Sequence, residues 1–511
     1  MKKLLLVSLI SICFCAFSQD VDIKKILKSA EDKFNVQDYF GAEQLFLKAY
    51  SLDSTNTTTA FKLGVCYYEL KKYQNAEDYF LKTTSGVSLE LFRYKAAIAH
   101  IQQKFKKAIN FYNGYKIING KKDLTNDEVN RLINKSIYAE EAISKPRNVS
   151  IQNVGALINS KYDEYVPLIS ADEGSMYFTS RRPESTGNKL DPNGRFFEDI
   201  YYSKKSGSSW EKPVQMKAGI NTETNDACAG LSPDGQLLFI FRTNPDLYSG
   251  SLYESRMGLD EWETPVKLPN NINSGFVETS ASITANDKII YFSSNREGGF
   301  GGKDIYKIER LPNGTWGKAQ NLGPTINTEQ DEDAPFIHSD GKTLYFSSTG
   351  HQNIGGYDIF KTKIDENGVW TNPDNLGVPI NTVTDDIFFV LAADGKIGYY
   401  SSAQQGGYGG QDIYKVVLKD EFEQLQVIKG EVYSESDSSP ISAKITLIEN
   451  ETSKIQGIYK SKEGSGKFIM LVEPDKTYNY VIQAEGYHPK TEDLVFDIKS
   501  SKPIIFKLQK K

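Results

Sequence analysis

The middle of the chain repeats one pattern five times. Each copy contains an Ile-Asn step or a close variant, an acidic residue, a turn, an aromatic strand, and then Asp-Ile-Tyr or a near copy. The spacing of roughly 50–60 residues is typical of one blade of a β-propeller. A repeat this long and this aromatic predicts a radial β-architecture, which more often binds partners than catalyses a reaction. The Asp-Ile-Tyr copies are Asp199–Tyr201, Asp246–Tyr248, Asp304–Tyr306, Asp358–Phe360 and Asp412–Tyr414.

Connector segments indicate where the ring closes. Asn153–Asn159 precedes the first copy and matches Asn321–Asn327 and Asn375–Asn381, whereas no such segment follows the last copy. We therefore expect the strand around Val149–Leu157 to complete the last sheet. This closure predicts a five-bladed β-propeller over residues 146–420 and removes exposed strand edges.

Two further features recur within the copies. Asp-Gly pairs predict tight hairpin turns, because glycine adopts the positive φ that such turns require; they lie in Pro233–Gly235, Ser339–Gly341 and Ala393–Gly395. Four tryptophans follow the Asp-Ile-Tyr elements, and we interpret them as packing residues between sheets before ligand platforms. They are Trp210, Trp262, Trp316 and Trp370.

The flanking segments have different patterns. Residues 20–145 show helical periodicity with a 34-residue repeat of small and aromatic residues, in which Ala42 corresponds to Ala76. This repeat predicts a tetratricopeptide-repeat α-solenoid, whose concave face suits a peptide or a helix. Residues 425–511 contain short alternating strands between Gly and Pro, which predicts a small β-sandwich. The expected fold class is therefore multi-domain α + β.

Residues 1–18 predict a secretory signal peptide. Two lysines precede an apolar run over residues 4–17, and Ser18 ends a cleavage site of small residues. The run is shorter than the ~20 residues that span a bilayer. Acylation at Cys13 or Cys15 is an alternative, although the small residues that normally precede an acylated cysteine are absent. We expect an exported protein that is periplasmic or associated with the outer membrane.

Charge and cysteine content exclude several classes of function. The net charge of −6 gives no electrostatic reason to bind nucleic acid or anionic lipid. Cys66 and Cys228 fall in different predicted domains, so we expect two buried thiols instead of a disulfide, a metal site or a nucleophile.

A carboxylate follows the asparagine of every connector by five residues. Equivalent positions in rotationally related sheets should form a ring, which we place near one mouth of the central channel. This ring could hold a cation or a basic segment of a protein partner. Alternatively, each carboxylate braces its own sheet, and repetition in every sheet favours this interpretation. The five candidate partner-binding residues are Glu164, Asp226, Glu278, Glu332 and Asp386.

Other motifs give no catalytic or cofactor site. The glycine runs Gly298–Gly302 and Gly406–Gly410 lead into strands instead of helices, so we interpret them as turns and not as phosphate loops. Asp331–Asp333 and Asp385–Asp386 lack the EF-hand pattern and are interpreted as solvated loops. The four histidines show no zinc-ligand spacing, and no Gly-x-Ser-x-Gly elbow is present. We therefore predict no cofactor, no metal and no catalytic residues.

The order of these modules resembles a known family. Leu231–Phe239, with its Ser-Pro-Asp-Gly core, is similar to the signature of WD40-like Pro-Asp-repeat (PD40) propellers, and Gly430–Tyr487 is similar to a carboxypeptidase-regulatory-like domain. With the helical repeats, the chain resembles the PorE-like group of the type IX secretion and gliding envelope. Members often carry an OmpA-like domain that grips peptidoglycan, which this sequence does not show, so peptidoglycan binding is doubtful.

The resemblance implies a non-enzymatic envelope scaffold that binds outer-membrane or other envelope proteins through its solenoid and propeller. The alternative is a carbohydrate- or peptide-active hydrolase with a site at the propeller channel mouth.

Overall fold

A computed structural model gives the structure of most of the chain. It describes residues 23–83, 89–118, 123–191, 193–217, 219–247, 249–259, 261–393, 395–419, 425–474, 476–495 and 503–511. The predicted signal peptide, Cys13, Cys15, Tyr248 and Asp394 lie outside these residues. The chain falls into two compact units, one of residues 1–140 with 189–196 and the other of residues 141–188 with 197–511.

The first unit is helical. Tight packing between successive helices depends on small residues: a Cβ on Gly64 would lie 2.4 Å from the Phe80 ring. Ala42, Ala76 and Ala108 are fully buried, which fits the predicted spacing of small residues. The helices among the described residues are α1 (residues 23–35), α2 (Tyr39–Leu52), α3 (Thr57–Glu69), α4 (Tyr73–Leu81), α5 (Leu89–Ile101), α6 (Phe105–Ile117) and α7 (Asn126–Ser144).

The first strand of the second unit is β1 (Val149–Asn153). Five β-sheets come next along the chain, and β1 belongs to the last of them. Sheet 1 contains β2 (Glu164–Ile169), β3 (Ser175–Ser180), β4 (Asp199–Ser206), β5 (Ser209–Trp210) and β6 (Val214–Gln215). Sheet 2 contains β7 (Asp226–Leu231), β8 (Leu237–Thr243), β9 (Gly250–Arg256) and β10 (Val266–Lys267). Sheet 3 contains β11 (Ala281–Ile283), β12 (Ile289–Ser294), β13 (Asp304–Glu309) and β14 (Gln320–Asn321).

Sheets 4 and 5 also have four strands each, with neighbouring strands in sequence order except for the outermost strand of sheet 5. Sheet 4 contains β15 (Glu332–Ile337), β16 (Thr343–Ser348), β17 (Asp358–Lys363) and β18 (Asp374–Asn375). Sheet 5 contains β19 (Asp386–Leu391), β20 (Ile397–Ser402) and β21 (Asp412–Leu418), and its fourth strand is β1.

The five sheets lie side by side in a propeller-like ring. Their first strands, β2, β7, β11, β15 and β19, each contact the first strands of the two neighbouring sheets. The ring closes because β1 pairs with β21, from Val149 opposite Leu418 to Asn153 opposite Tyr414. The expected pairing of the first connector with the last sheet is confirmed. We call the end at which these inner strands begin the N-terminal mouth, and the other end, formed by the hairpin turns, the turn end.

The repeated asparagines explain why the connector recurs. In sheet 4 the Asn381 side chain accepts a bond from the Ile359 N–H at 2.8 Å and donates to the Ile359 carbonyl at 2.9 Å. Asn327 makes the same pair of bonds with Ile305. The other connectors are fastened in the same way, and buried backbone groups are satisfied. In sheet 2 the residue held is Leu252, so Ser251–Tyr253 occupies the place of the second copy, and its assignment to Asp246–Tyr248 is wrong.

The tryptophans pack between sheets, as predicted. The Trp262 ring of sheet 2 meets Tyr177 of sheet 1 edge-on, with 5.6 Å between ring centroids. Trp210 of sheet 1 meets Tyr399 of sheet 5 in the same way at 6.0 Å. These tryptophans thus join neighbouring sheets instead of forming an exposed platform.

Two smaller sheets follow the ring. One has the strand order β25-β22-β28 and the other β24-β23-β26-β27, and residues of both contribute to a single hydrophobic core. Their strands are β22 (Gln426–Ser434), β23 (Lys444–Glu449), β24 (Ile455–Lys460), β25 (Lys467–Val472), β26 (Tyr478–Gln483), β27 (Lys490–Asp493) and β28 (Ile504–Leu508). We call these two sheets the C-terminal module.

The C-terminal module is docked on the turn end of the ring. It contacts the hairpin turns of four sheets, and two of the contacts are backbone hydrogen bonds that fix its position. The contacts join Lys429 to Asp172, Lys460 to Gln236, Ile458 to Ala285, and Leu425 to Ala393. The N-terminal mouth lies at the opposite end of the ring.

Candidate functional site

The five repeated carboxylates are buried in their own sheets. Glu164 accepts bonds from the backbone N–H of Ser160 at 2.6 Å and from the Ser180 hydroxyl at 2.7 Å. Glu332 is held in the same way by Thr328 and Ser348. All five residues have relative exposures of zero: Glu164, Asp226, Glu278, Glu332 and Asp386. We call the segments from connector asparagine to carboxylate the brace loops.

Burial sets the protonation of these groups. It raises the pKa of Glu164, Asp226 and Glu332, and it raises that of Asp386 well above the usual range, although the surrounding hydrogen bonds oppose the shift. The structure does not gather these carboxylates around a shared open space, since each is bonded within its own sheet. Their predicted role in binding a partner stays a prediction.

The glycine runs also serve the fold. Backbone N–H groups of Phe300 and Gly301 donate to the Asp304 carboxylate at 2.7 and 3.0 Å. A Cβ on Gly301 would lie 1.9 Å from the Gln330 carbonyl oxygen. Glycine is therefore required where this turn passes close to the next connector, and the turn interpretation is confirmed.

The N-terminal mouth carries groups that do not repeat. The residue before four of the Asp-Ile-Tyr elements lies at the seam between two sheets, because its carbonyl oxygen accepts a hydrogen bond of 2.8–2.9 Å from the backbone N–H of the brace carboxylate residue of the next sheet. The backbone contact recurs, whereas the side chains differ in chemistry. These seam residues are Glu198, Lys303, Tyr357 and Gln411.

Asp333 is the centre of a buried polar cluster at the seam of sheets 3 and 4. Its carboxylate accepts bonds of 2.6 Å from the hydroxyls of both Ser280 and Ser293, and the Lys303 ammonium lies 2.7 Å from its other oxygen. Burial alone would raise the pKa of Asp333, but Lys303 and the two hydroxyls lower it to about 2. Asp333 is therefore ionised at neutral pH.

A second cluster lies at the seam of sheets 1 and 2. The Tyr165 hydroxyl donates to the Glu198 carboxylate, and the Arg181 guanidinium lies 2.5 Å from the same oxygen. The Arg181 and Glu198 side chains are 10% and 13% exposed, so a small part of this ion pair is in contact with water. Burial, opposed by Arg181 and reinforced by Glu198, raises the pKa of Tyr165 well above its usual value.

Tyr357 adds an aromatic phenol at the seam of sheets 4 and 5. Burial raises its pKa, and the nearby carboxylates of Asp333, Asp331 and Asp385 raise it further. The phenol is therefore neutral over the whole physiological range and can donate a hydrogen bond.

Behind the mouth, the channel is narrow and mostly apolar. A cavity of about 40 Å³ is lined by inner-strand residues such as Leu168, Ala281 and Phe389. Inner strands of four sheets contain β-bulges, one of which directly follows Asp333. Bulges are frequent at barrel rims and beside active sites, where they redirect a side chain. Chemistry at this axis is consequently confined to the mouth.

The described residues offer no candidate site for a metal ion and no candidate membrane span. No group of three or more His, Cys, Asp or Glu side chains is placed to hold a metal ion within that part of the chain. Among the same residues, no helix combines the length and the apolar character needed to cross a membrane. Cys66 and Cys228 are both buried free thiols, as expected.

Sequence reasoning missed the mouth clusters. Asp331–Asp333 and Asp385–Asp386 were expected to be solvated loops, and this is wrong for Glu332, Asp333 and Asp386, which are buried. The cause is that these acidic residues begin a strand. Adjacent side chains of a strand point to opposite faces, so Glu332 and Asp333 are each buried against different partners. The usable signal is a departure from the repeat: the residue after the brace carboxylate is Tyr, Ala, Thr, Asp and Ile in successive sheets.

Comparison with known proteins gave structural neighbours alone. No family model and no curated protein matched the chain. An α-L-arabinofuranosidase from Lactobacillus brevis matches at 13% identity over 52% of this chain and 92% of its own, with a TM-score of 0.36. An exo-β-1,3-galactanase from Clostridium thermocellum matches at 11% over 67% and 81%, with a TM-score of 0.35. An α-L-arabinanase from Penicillium chrysogenum matches at 11% over 61% and 98%, with a TM-score of 0.28.

These neighbours correct the expectation of a non-enzymatic scaffold. That expectation, and the prediction that the chain is not an enzyme, took the radial β-architecture as a binding platform. The three neighbours are an arabinofuranosidase, a galactanase and an arabinanase. At this identity the likeness concerns the fold alone, and an activity must be argued from this chain's own residues.

Proposed function

We propose that the protein is a carbohydrate-active hydrolase with its site at the N-terminal mouth. The five sheets are then the blades of a five-bladed β-propeller, with the mouth at its axis. The observation that carries the proposal is the buried, ionised Asp333, whose pKa of about 2 is maintained by Lys303 and two serines. No other sheet has a carboxylate at this position.

The fold itself does not require such a group. Brace carboxylates occur in every sheet and satisfy backbone groups of their own turns, so their role is explained by folding. A buried ion pair costs several kcal/mol of desolvation per ion, which is only partly returned by attraction. Groups with strongly shifted pKa values are concentrated at functional sites. Asp333 meets this criterion, and so do Tyr165 and Tyr357 at two other seams.

The mouth offers the groups that glycoside hydrolysis needs. Most glycoside hydrolases use two carboxyl groups, one to protonate the leaving oxygen and one to act as base or nucleophile. We propose that Asp333 takes the second role, because it is ionised, and that Glu198, at a different seam of the mouth, is the other carboxyl. The phenols of Tyr165 and Tyr357 and the Lys303 ammonium can bond sugar hydroxyls, while the aromatic rings can pack against sugar faces.

The flanking modules complete the proposal. We propose that the helices form a tetratricopeptide-type solenoid and that the C-terminal module is a β-sandwich. An exported location also stays part of the proposal. The C-terminal module lies on the turn end, so it leaves the N-terminal mouth free of its own contacts.

The experiment is an activity screen with matched variants. Purified protein is incubated with 4-nitrophenyl glycosides and with arabinan and galactan, and released product is measured. We expect turnover by the wild type, a loss of about 100-fold or more in kcat/KM for Asp333→Asn and for Glu198→Gln, and no change for Glu366→Gln, which removes an exposed charge.

Thermal midpoints of all variants separate lost chemistry from lost folding. The proposal is overturned if the wild type cleaves none of the substrates, or if both mouth variants fold and retain full activity.

A further inference from the structure

A second and larger cavity lies at the turn end of the ring. It has a volume of about 780 Å³ and is enclosed by hairpin turns of sheets 2 and 3 and by strands β23 and β24 of the C-terminal module. Apolar walls are supplied by residues such as Met257, Pro312 and Tyr459. We call it the basic cavity because of the charges that line it.

Positive charge dominates the lining. Two carboxylates, Asp234 and Asp287, face five cationic side chains, although the chain as a whole is acidic with a net charge of −6. Local charge of this sign in a concave site concentrates anions. The five cationic residues are Arg256, Lys288, Arg310, Lys444 and Lys460.

Both carboxylates are already used by the fold. The Arg310 guanidinium lies 3.1 Å from Asp287 and 4.3 Å from the Trp316 ring, so this arginine and this aspartate neutralise one another. Asp234 accepts bonds from the Ser232 hydroxyl at 2.5 Å and from the Gln236 N–H at 3.1 Å, which closes its hairpin turn.

The three lysines of the lining form no ion pair of this kind. Within the described part of the chain, Lys288, Lys444 and Lys460 have no carboxylate within 4.0 Å of their ammonium groups. They come from two parts of the second unit, with Lys288 on a hairpin turn of sheet 3 and the other two on the C-terminal module. Three unpaired cations around one cavity repel each other, and a bound anion would relieve that repulsion.

We propose that the basic cavity binds a small ligand with at least two anionic groups, such as carboxylates, sulfates or phosphates. The volume accommodates a ligand of about the size of a di- or trisaccharide. Lys444 and Lys460 contact it from the module side and Lys288 from the ring side. The inference goes beyond the proposed hydrolase, since the basic cavity and the N-terminal mouth lie at opposite ends of the ring.

The test measures binding by the full chain. Isothermal titration calorimetry with sodium tripolyphosphate, trigalacturonate and a heparin-derived disaccharide distinguishes phosphate, carboxylate and sulfate ligands. We expect saturable binding of at least one probe, and a Kd raised about tenfold by each of Lys288→Gln, Lys444→Gln and Lys460→Gln. Binding should weaken between 50 and 300 mM NaCl, because exposed ammonium groups are screened by salt.

Lys467→Gln is the matched control, since Lys467 is exposed on strand β25 of the same module and does not line the cavity. Unchanged thermal midpoints confirm that the exposed-lysine variants remain folded. The proposal is overturned if no probe binds, or if Lys467→Gln weakens binding as much as the cavity variants do. Neither result bears on turnover at the N-terminal mouth.

Discussion

The brace loops and the N-terminal mouth use buried carboxylates in opposite ways, although both lie at the start of the same five strands. Glu332 and Asp333 are adjacent, yet burial raises the pKa of Glu332 while Lys303 lowers that of Asp333 to about 2. Glu332 meets only hydroxyls and backbone N–H groups of its own sheet, whereas Asp333 meets an ammonium group from the neighbouring sheet. In this ring, repetition marks groups that serve folding, and departure from it marks groups that folding does not explain.

The largest expected effect is on a brace loop. Asn381→Ala removes both bonds to the Ile359 backbone and leaves the buried Ile359 N–H without a partner, while the Ile359 carbonyl keeps its bond from the Leu376 N–H. We expect the free energy of unfolding to fall by about 3 kcal/mol, measured by urea denaturation. Asn148→Ala, at an exposed position before β1, is the control and should cost less than about 0.5 kcal/mol. Equal losses would remove the structural role assigned to the connector asparagines.

Acid should remove the contribution of the ionised Asp333 carboxylate to the free energy of unfolding. Because its pKa is about 2 in the folded chain and near 3.9 when unfolded, the unfolded chain binds more protons between these values. The pair with Lys303 therefore contributes about 2 kcal/mol above pH 4, and this is lost as the pH falls towards 2. We expect the stability difference between wild type and Asp333→Asn to shrink over this range. A difference independent of pH would contradict the assigned ionisation.

Glu332 should show the reverse dependence. Its folded pKa is raised, so its contribution to stability is fully present below the unfolded pKa of about 4.3 and is lost as the pH rises through the folded value. Glu332→Gln lacks this titration, and we expect it to gain stability relative to wild type as the pH rises from 4 to 7. Thermal midpoints over that range provide the measurement, and a relative loss would show that the sign is wrong.

The smallest effect is expected at the cysteines. Burial raises the pKa of Cys66 to about 12 and that of Cys228 still further, so neither forms the reactive thiolate at neutral pH. Iodoacetamide at pH 8 should label neither residue in the native chain and both in 6 M urea, as read by peptide mass spectrometry. Rapid native labelling of Cys228 would show that the inner strands open.

The sequence predicted the ring well because its signals are local and repeated. Asp-Gly turns, the connector asparagines and the aromatic strands each act within one copy, and the pairing of β1 with β21 followed from a connector missing at the end. The Asp333 cluster was not predicted, because its partners are brought together from the segment before β11, from β12 and from the segment before β13. No single-copy pattern contains such a cluster, and only the comparison of copies exposes it.

The pairing of β1 with β21 also determines when the ring can close during synthesis of the chain. β1 is synthesised before any of the five sheets is complete, and its partner β21 is the last strand of the ring to be made. Until then β1 has no sheet to join, and the edge it will cover does not exist. Every chain that stops short of β21 leaves an unprotected segment ready to pair with another molecule, so the last repeat protects all the others from aggregation.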